Sequence, residues 1–293
     1  MKYPIYFGVF FSMFLLSACG GSSGSSNEEP STPVSDNENT EQVPQDDANA
    51  TPGVIDAPAD SAQTESAPVV FEYVNFANPI DLNIQGDAVA DLANGVDSDS
   101  VLRLTSSVGD FQTGTAYHLN AVPLETFEVE FSFRITDSNG FIDRLDETGA
   151  DGFALIFQAL GDVVGASGGE LGYGGISPSV AVEIDTYTNR SDPDSNHVGV
   201  NINGDTSSTN NSVFVEPRFD DENQWYAWVD YNQPILEIRL AQVDQRPDEV
   251  TLITTVDIPA IIGQSTGFVG FTSATGLAHS NHDILNWAYR SNQ

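Results

Sequence analysis

The chain has 293 residues, and its 43 aspartates and glutamates outnumber its nine lysines and arginines, so its formal net charge is −34 at pH 7. A negative field of this strength repels nucleic acids and anionic membranes, and it repels acidic polysaccharides except through a bound metal ion. We therefore expect no nucleic-acid partner. The length allows one large all-β domain or two small domains, and the charge gives no information about the fold.

The N-terminal segment combines a positive charge, an apolar run and the only cysteine of the chain. Lys2 is followed by an apolar run over residues 5–16, which is too short to span a bilayer comfortably as a mature helix. Leu-Ser-Ala-Cys at residues 16–19 resembles a bacterial lipobox, in which a signal peptide is cleaved before a cysteine that becomes lipidated. We predict a lipoprotein signal peptide over residues 1–18 and lipidation at Cys19. The alternative is an ordinary signal peptide with a chance cysteine.

Residues 19–68 are rich in Ser, Pro, Asn and Thr and contain ten acidic residues but no Lys or Arg. Apolar residues are too sparse there to offset the entropy of ordering the backbone. We predict an acidic, disordered tether that contacts the membrane only through the lipid at Cys19. Gly20 does not resemble an inner-membrane retention signal, so the predicted location is the outer membrane or cell surface of a bacterium.

From Val69 to the C-terminus, short runs of alternating apolar and polar residues follow one another. In the clearest run, residues 127–135, Phe, Val and Ile alternate with Glu, Ser and Arg, as expected of a half-buried strand. Turn-forming clusters separate the runs, for example Asp-Ser-Asn-Gly at residues 137–140. We predict one all-β sandwich over residues 69–293 without a substantial helix. The predicted strands are 71–76, 101–105, 127–135, 153–157, 180–187, 198–202, 225–231, 235–241, 252–256, 268–272 and 284–289.

The fifth predicted strand and the loop after it carry a group of polar side chains. Apolar residues alternate with Glu183 and Asp185 along this strand, so the two acids share one face. A polar loop with Asn189 and Asp192 follows, and the next strand begins at His197. Oxygen donors suit calcium, and carboxylates with one imidazole suit a transition ion such as manganese. The alternative is an acidic surface loop with a hydrated histidine.

Three further stretches have the composition of a ligand site. Gly-Ala-Asp-Gly-Phe-Ala surrounds Asp151, which could instead be an N-cap or turn aspartate. Gly-Gly-Glu-Leu-Gly at residues 168–172 would let the backbone approach a ligand closely, although a flexible loop is the alternative. Gly-Leu-Ala-His-Ser-Asn-His occupies residues 276–282. We expect His279 and His282 to be surface or strand-start residues rather than ligands.

Together, these motifs resemble those of the legume (L-type) lectins. Val-Glu-x-Asp-Thr-aromatic-x-Asn at residues 182–189, followed by Asp-Pro and His-x-Gly, resembles the metal-binding signature of that family. Similar runs extend over nearly all of residues 69–293. The resemblance implies a legume-lectin-like jelly-roll β-sandwich (concanavalin-like) with a back sheet, a front sheet and a small bridging sheet. One departure is the gap between Asn189 and Asp192, which is shorter than in many plant members.

The resemblance also implies two bound metal ions. A transition ion, here Mn²⁺, is held in the family by the residues that match Glu183, Asp185, Asp192 and His197. A Ca²⁺ ion is held by those that match Asp185, Asn189 and Asp192 and by the backbone carbonyl at Tyr187.

The carbohydrate site that the resemblance implies consists of Asp151, Gly169, Tyr187, Asn189, Leu277 and Ala278. Asp151, whose preceding peptide bond is cis in the family, would accept hydrogen bonds from two sugar hydroxyls. Gly169, Leu277 and Ala278 would each donate a backbone N–H to the sugar. Asn189 would bind calcium through its oxygen and a sugar hydroxyl through its NH₂ group. Tyr187 would offer a ring face to the sugar's C–H groups.

The sequence therefore predicts a metal-dependent lectin on the bacterial envelope that binds glycans without catalysis, with mannose or glucose mildly favoured over galactose. A homo-oligomer stays open. Glu183 and Asp185 are also similar to the start of the Glu-x-Asp-x-x-Glu signature of laminarinase-type glycoside hydrolases. Such enzymes need a second carboxyl group, and Tyr187 and Thr188 stand where the second glutamate should fall. A structural or adhesive lipoprotein that uses the sandwich for protein contacts is the other alternative.

Overall fold

The computed structural model describes residues 67–93, 99–145, 147–189, 192–207 and 211–292. The predicted signal peptide, Cys19 and the predicted tether up to residue 66 lie outside the described residues. Within these ranges, no helix is long and apolar enough to cross a membrane.

Sixteen strands and two short helices are present in the described part of the chain. The strands are β1 (Val69–Tyr73), β2 (Leu82–Gly86), β3 (Val89–Ala93), β4 (Ser100–Thr105), β5 (Thr113–His118), β6 (Val122–Pro123), β7 (Thr126–Gly140), β8 (Gly152–Gln158), β9 (Ser179–Asp185), β10 (His197–Ile202), β11 (Ser212–Phe214), β12 (Trp225–Asn232), β13 (Ile235–Ala241), β14 (Leu252–Thr255), β15 (Thr266–Ala274) and β16 (Ala278–Arg290). The helices are a 3-10 turn (Gly168–Glu170) and α1 (Ile258–Ile262).

The strands form two antiparallel sheets. The back sheet has the order β14-β13-β12-β7-β16-β4-β3, and β1 also pairs with β16. The front sheet has the order β11-β10-β9-β8-β15-β5-β2. A separate short ladder joins β6 to the start of β15. This architecture confirms the predicted all-β jelly-roll sandwich.

The alternating pattern of β7 builds the core between the sheets. Phe131 and Phe133 point inward and meet aromatic rings of the front sheet. The ring centroids of Phe131 and Phe271 lie 5.1 Å apart, and those of Phe133 and Phe153 lie 4.9 Å apart. Full burial of one such side chain contributes about 1.5–3 kcal/mol. The alternation of apolar and polar residues therefore decides which face of β7 turns inward.

The eleven predicted strands are all present, ten of them with a shifted end, and β2, β3, β5, β6 and β11 were not predicted. β5 is buried along nearly its whole length, yet its sequence is Thr-Gly-Thr-Ala-Tyr-His. Such small and polar residues give no hydrophobic alternation, so neighbouring strands on both sides impose the extended conformation.

Two strand ends near the candidate site differ from the prediction. β7 continues to Gly140, so residues 137–140 form part of a strand and the turn predicted there is wrong. β16 begins at Ala278, which pairs with Gly140. This pairing satisfies backbone groups that a turn would have left without partners. The loop between β15 and β16 is therefore limited to residues 275–277.

Candidate functional site

β9 has one apolar face and one acidic face, as its alternation predicted. Val180, Val182 and Ile184 belong to the core between the two sheets. Glu183 and Asp185 project from the opposite face and are also buried. A second, smaller hydrophobic cluster lies on that face. The two acids are therefore buried beneath loops of the front sheet instead of being exposed to solvent.

Tyr173 and Asn201, which the sequence analysis missed, and Gly199 of the His-x-Gly motif fix the carboxylate of Glu183. The Tyr173 hydroxyl donates a hydrogen bond of 2.5 Å to Glu183 Oε2, and Asn201 Nδ2 donates to the Tyr173 hydroxyl at 2.9 Å. Gly199 lies opposite Glu183 in the ladder, and a Cβ atom there would come within 2.6 Å of Oε1. A larger residue at this position would therefore push the Glu183 carboxylate away from its place above β10.

His197 begins β10 directly opposite Asp185. Its Nε2 lies 3.4 Å from Glu183 Oε1, and its Nδ1 lies 3.1 Å from Asp194 Oδ1. Burial favours the neutral imidazole, but the hydrogen bond to Glu183 and the charges of Asp185, Glu183 and Asp194 outweigh it and raise the pKa of His197 to about 9. The imidazole is thus charged at neutral pH in the metal-free protein.

Asp185 and Asp192 are held by the backbone of the loop after β9. Asp185 Oδ1 accepts the N–H of Tyr187 at 2.8 Å, and Asp192 Oδ2 accepts the N–H of Asn189 at 2.7 Å. Burial raises the pKa of Asp185 well above its usual value, and the nearby carboxylates of Glu183 and Asp192 add to this rise, while His197 opposes it. Burial also raises the pKa of Asp192. The charged forms of these acids are costly without a cation.

The donor chemistry fits a divalent cation. Glu183, Asp185, Asp192 and His197 are all buried, and a positive ion would offset the cost of three crowded carboxylates. In the ranges that the structure describes, however, no three His, Asp or Glu side chains converge as a complete ligand set. Both ions therefore stay predictions.

Asp151 lies just before β8, and the Ala150–Asp151 peptide bond is cis, as the resemblance implied. The carbonyl oxygen of Asp151 accepts the N–H of Thr186 at 3.0 Å, which joins this segment to the loop after β9. Asp151 Oδ2 is buried without a hydrogen-bond partner. Burial raises the pKa of Asp151 to about 7, against the opposing effect of the Asn189 amide and the Gly276 N–H.

Gly169 lies against the amide group of Asn189. A Cβ atom on Gly169 would lie 2.3 Å from Asn189 Nδ2, so any larger residue would displace the amide. Asn189 Nδ2 is buried and has no hydrogen-bond partner. The structure thus places the predicted acceptor, Asp151, close to the amide of Asn189 and the backbone of Gly169.

The other predicted carbohydrate ligands lie in the adjoining loops. Leu277 is half-exposed, whereas Ala278 is buried and already part of β16. The Cα of Gly276 faces the Asp151 carboxylate, since a Cβ atom on it would lie 3.8 Å from Oδ2. Tyr187 is partly exposed, and burial followed by the charge of Asp151 raises its pKa.

Asp143 and Arg218 support the site, and the sequence analysis missed both. Asp143 accepts the backbone N–H groups of Leu145, Glu147 and Thr188 at 2.7–3.1 Å. Burial would raise the pKa of Asp143, but these hydrogen bonds outweigh it and hold the pKa below its usual value. Arg218 donates hydrogen bonds to backbone carbonyls at both ends of the loop after β9. Neither residue belongs to a motif, and both lie far along the chain from the loop they hold.

The two histidines of the 276–282 stretch behave differently. His279 is partly buried, and its Nε2 lies 3.6 Å from Asp110 Oδ1. His282 is fully buried within β16, so the expectation of a surface or strand-start position is wrong for it. Its Nδ1 lies 2.7 Å from Thr105 Oγ1, and burial together with the charge of Arg103 lowers its pKa to about 3.

A cleft of about 290 Å³ on the outer face of the back sheet is the main competing location, with Tyr226 and Glu130 in its lining. Both carboxylate oxygens of Glu130 already have partners there. Glu130 Oε1 accepts the indole N–H of Trp228 at 2.8 Å, and Oε2 accepts Arg290 Nη1 at 2.9 Å. The polar atoms that lack partners at Asp151 and Asn189 favour the front-sheet site for a ligand.

Solved structures and curated proteins share this fold and sequence pattern. A lectin-like protein of Arabidopsis thaliana is 27% identical over 262 residues, which cover 76% of this chain and 91% of that protein. The basic winged bean lectin with Tn-antigen is 28% identical with a TM-score of 0.61, over 75% of this chain and 96% of that one. The lectin from Bauhinia forficata in complex with GalNAc is 25% identical with a TM-score of 0.62, over 76% and 98%.

Matches to L-type lectin-domain containing receptor kinases have a narrower extent. The chain spans 19% of one such receptor kinase of Arabidopsis thaliana, so that match gives no support for kinase activity. The profile of the legume lectin domain matches residues 68–293, which is more than half of the chain. With the sandwich and the acidic face of β9, this match assigns the chain to the legume lectin domain family.

Proposed function

We propose that this chain is a metal-dependent lectin that binds glycans without catalysis. The observation that carries the proposal is the pair of buried, unpaired polar atoms, Asp151 Oδ2 and Asn189 Nδ2, beside the backbone of Gly169. A carboxylate acceptor next to an amide donor matches two neighbouring hydroxyl groups on a sugar ring. Burial of unpaired polar groups is costly, so a ligand that pairs with both gains affinity.

Metal ions complete this proposal. Glu183, Asp185, Asp192 and His197 would hold Mn²⁺, and the Ca²⁺ ligands would be Asp185, Asn189, Asp192 and the carbonyl oxygen of Tyr187. When bound, the ions supply positive charge that stabilises the crowded carboxylates. The chain's own contribution is orientation. Asn189 would present its NH₂ group to the sugar, because its oxygen would face the calcium ion.

The arrangement around Glu183 disfavours glycoside hydrolysis. Its carboxylate accepts the Tyr173 hydroxyl and lies beside His197. A retaining hydrolase needs two carboxyl groups about 5–5.5 Å apart on either side of the sugar bond. The residue at the position of the missing second glutamate is Thr188, which is buried and has its backbone N–H bonded to Asp143.

The ligands bound in related lectin structures suggest a class of sugar. The Bauhinia forficata structure contains GalNAc, and the winged bean structure contains Tn-antigen. The sequence itself mildly favoured mannose or glucose. We propose a hexose with neighbouring free hydroxyls, and a glycan panel that includes both classes decides between them.

Surface display forms the last part of the proposal. Lipidation at Cys19 after removal of residues 1–18 would anchor the chain, and an acidic tether over residues 19–68 would hold the lectin domain, residues 69–293, away from the outer membrane of a bacterium. The test is metabolic labelling with a lipid precursor in cells that express the chain or its Cys19→Ser variant. Label in the Cys19→Ser variant would rule out this anchor.

Glycan binding is tested with the mature chain carrying Cys19→Ser. Its binding to immobilised glycans is measured in calcium plus manganese and again in chelator. We expect binding that chelator and Asp151→Asn both abolish, because chelator removes the ions that would orient the site and the variant replaces the charged acceptor with a neutral amide. Asp244→Asn, on the outer face of the back sheet, is the matched control and should bind as the wild type does. A folded, metal-loaded chain that binds no glycan would favour the adhesive alternative.

A further inference from the structure

The hydroxyl of Tyr173 engages one of the two carboxylate oxygens of Glu183. It donates a hydrogen bond to Oε2 at 2.5 Å, and both side chains are buried. A hydroxyl group has a single hydrogen, and its oxygen here accepts a hydrogen bond from Asn201 Nδ2 at 2.9 Å. The amide of Asn201 therefore fixes the direction of the hydroxyl, and the hydrogen of Tyr173 points at Glu183.

The other carboxylate oxygen of Glu183, Oε1, lies beside β10. It is 3.4 Å from His197 Nε2, and it lies so close to Gly199 that a Cβ atom there would be 2.6 Å away. His197 Nδ1 lies 3.1 Å from Asp194 Oδ1. A hydrogen bond from Nδ1 to Asp194 leaves Nε2 as the nitrogen that can bind a metal ion. Oε1 and Nε2 are therefore the neighbouring pair of atoms that a shared ion would meet.

Metal ions differ in the way they use a carboxylate group. Calcium takes about six to eight oxygen ligands and often binds both oxygens of one carboxylate. Transition ions bind imidazole readily and do not need so many oxygens. A carboxylate with one oxygen held by a tyrosine offers only the other oxygen to an ion. The pair formed by Glu183 Oε1 and His197 Nε2 is therefore a poor site for calcium and a good one for a transition ion.

We propose that Tyr173 makes the site at Glu183 and His197 selective for a transition ion over calcium. It does so by holding Glu183 Oε2, so that the carboxylate binds an ion through Oε1 alone. Asn201 is a positioning residue, because it fixes the direction of the Tyr173 hydroxyl. This inference rests on the proposed metal-dependent function and adds the cause of metal selectivity at one of its two sites.

The alternative is that Tyr173 only supports the fold, since its ring belongs to the small hydrophobic cluster on the front sheet. Tyr117 belongs to the same cluster and is equally buried. Its hydroxyl donates to the carbonyl oxygen of Val163 at 2.9 Å, whereas the hydroxyl of Tyr173 donates to a predicted metal ligand. Tyr117 is therefore a matched control for the loss of one buried hydroxyl.

The test measures how strongly calcium competes with manganese. The mature chain with Cys19→Ser is freed of metal and titrated with Mn²⁺, with and without a large excess of calcium, and free Mn²⁺ is followed by electron paramagnetic resonance. Without Tyr173→Phe, we expect calcium to leave the dissociation constant for manganese nearly unchanged. In Tyr173→Phe, Oε2 becomes available to calcium, and we expect calcium to raise this dissociation constant about tenfold.

Two further variants separate selectivity from effects on the fold. Tyr117→Phe should bind manganese in the presence of calcium as well as the wild type does. Tyr173→Phe leaves the buried amide of Asn201 without its partner, which lowers stability. The double variant Tyr173→Phe, Asn201→Leu replaces both polar groups with apolar groups of similar shape. It should therefore be more stable than Tyr173→Phe and show the same competition by calcium, and it decides the test if the single variant does not fold.

Three results would overturn this proposal and leave the lectin function intact. The first is equal competition by calcium in the wild type and in Tyr173→Phe, and the second is the same increased competition in Tyr117→Phe, which would assign the effect to packing of the cluster. The third is a folded Tyr173→Phe that binds no manganese even without calcium, since Tyr173 would then determine affinity and not selectivity. A wild-type chain that binds no manganese would overturn the proposed metal dependence and this inference with it.

Discussion

Arg218 donates a hydrogen bond of 3.0 Å from Nη2 to the carbonyl oxygen of Thr186 and another of 3.2 Å from Nη1 to the carbonyl oxygen of Ser195. These two carbonyls lie at either end of the loop that carries the predicted metal ligands. Asp220 holds the guanidinium from another side, with Arg218 Nε donating to Oδ1 at 2.7 Å. The planar fork of donors suits this role, because one rigid group can close both ends of the loop. Thr186 also donates its N–H to the carbonyl oxygen of Asp151, so this clamp extends to the sugar acceptor.

Arg218→Met should loosen this loop. The variant loses several hydrogen bonds that the charged guanidinium donates. We therefore expect the free energy of unfolding, measured by urea denaturation, to fall by about 2 kcal/mol. Because Asp192 would lose its fixed position relative to Asp185, we also expect weaker binding of terbium. This ion replaces calcium in the assay, and its binding is followed by its luminescence.

Arg239→Met is the matched control for Arg218→Met. Arg239 donates to Asp230 Oδ2 at 2.8 Å and to Glu237 Oε2 at 2.7 Å on the back sheet, away from the loop. This variant should lose some stability and bind terbium as the wild type does. If Arg218→Met also leaves terbium binding unchanged, Arg218 supports the fold alone.

Gly169→Ala should abolish sugar binding while the fold is kept. The added Cβ would lie 2.3 Å from Asn189 Nδ2, so the amide must move away from Asp151. Gly168→Ala is the neighbouring control: its backbone strain at φ +67° costs about 1 kcal/mol, but the new methyl group meets no atom within 4 Å. Glycan-array binding by both variants checks this expectation. Equal loss in both would point to distortion of the 3-10 turn as a whole.

Local periodicity was enough to predict the sandwich and the acidic face of β9, because core-facing apolar residues alternate with polar residues on the other face. The motifs around Asp151, Gly169 and Asn189 also predicted residues that the structure brings together. Tyr173 and Arg218 could not be found in this way. Their roles depend on contacts between segments distant in sequence, and nothing in their own neighbourhood marks them. The extension of β7 through a turn-like sequence was missed for the same reason, since pairing with β16 decides it.

The carboxyl of Asp151 should give the protein a distinctive pH dependence in chelator. Its pKa of about 7 in the folded state lies above the value of 3.8 expected when unfolded, so the folded state binds the proton more tightly. The contribution of this group to stability is therefore fully present below about pH 4 and is lost as pH rises to about 7. Urea unfolding of the wild type and of Asp151→Asn across this range measures the difference. A difference that is constant with pH would show that Asp151 does not titrate there.

Manganese binding should release protons at pH 7.5, and His197 should be a main source. Its pKa of about 9 means that the imidazole is charged before the metal binds, whereas an imidazole that binds a metal ion must be neutral. Calorimetric titrations in Pipes and in Tris give the number of protons released, because the two buffers differ in ionisation enthalpy. We expect His197→Gln to release about one proton fewer than the wild type with Mn²⁺. Calcium should release fewer protons than manganese in the wild type, since the predicted calcium ligands do not include His197. Asp185, whose pKa is also raised, would bind both ions and so contributes protons to both titrations. The number of protons released with manganese minus the number released with calcium therefore reports on the imidazole.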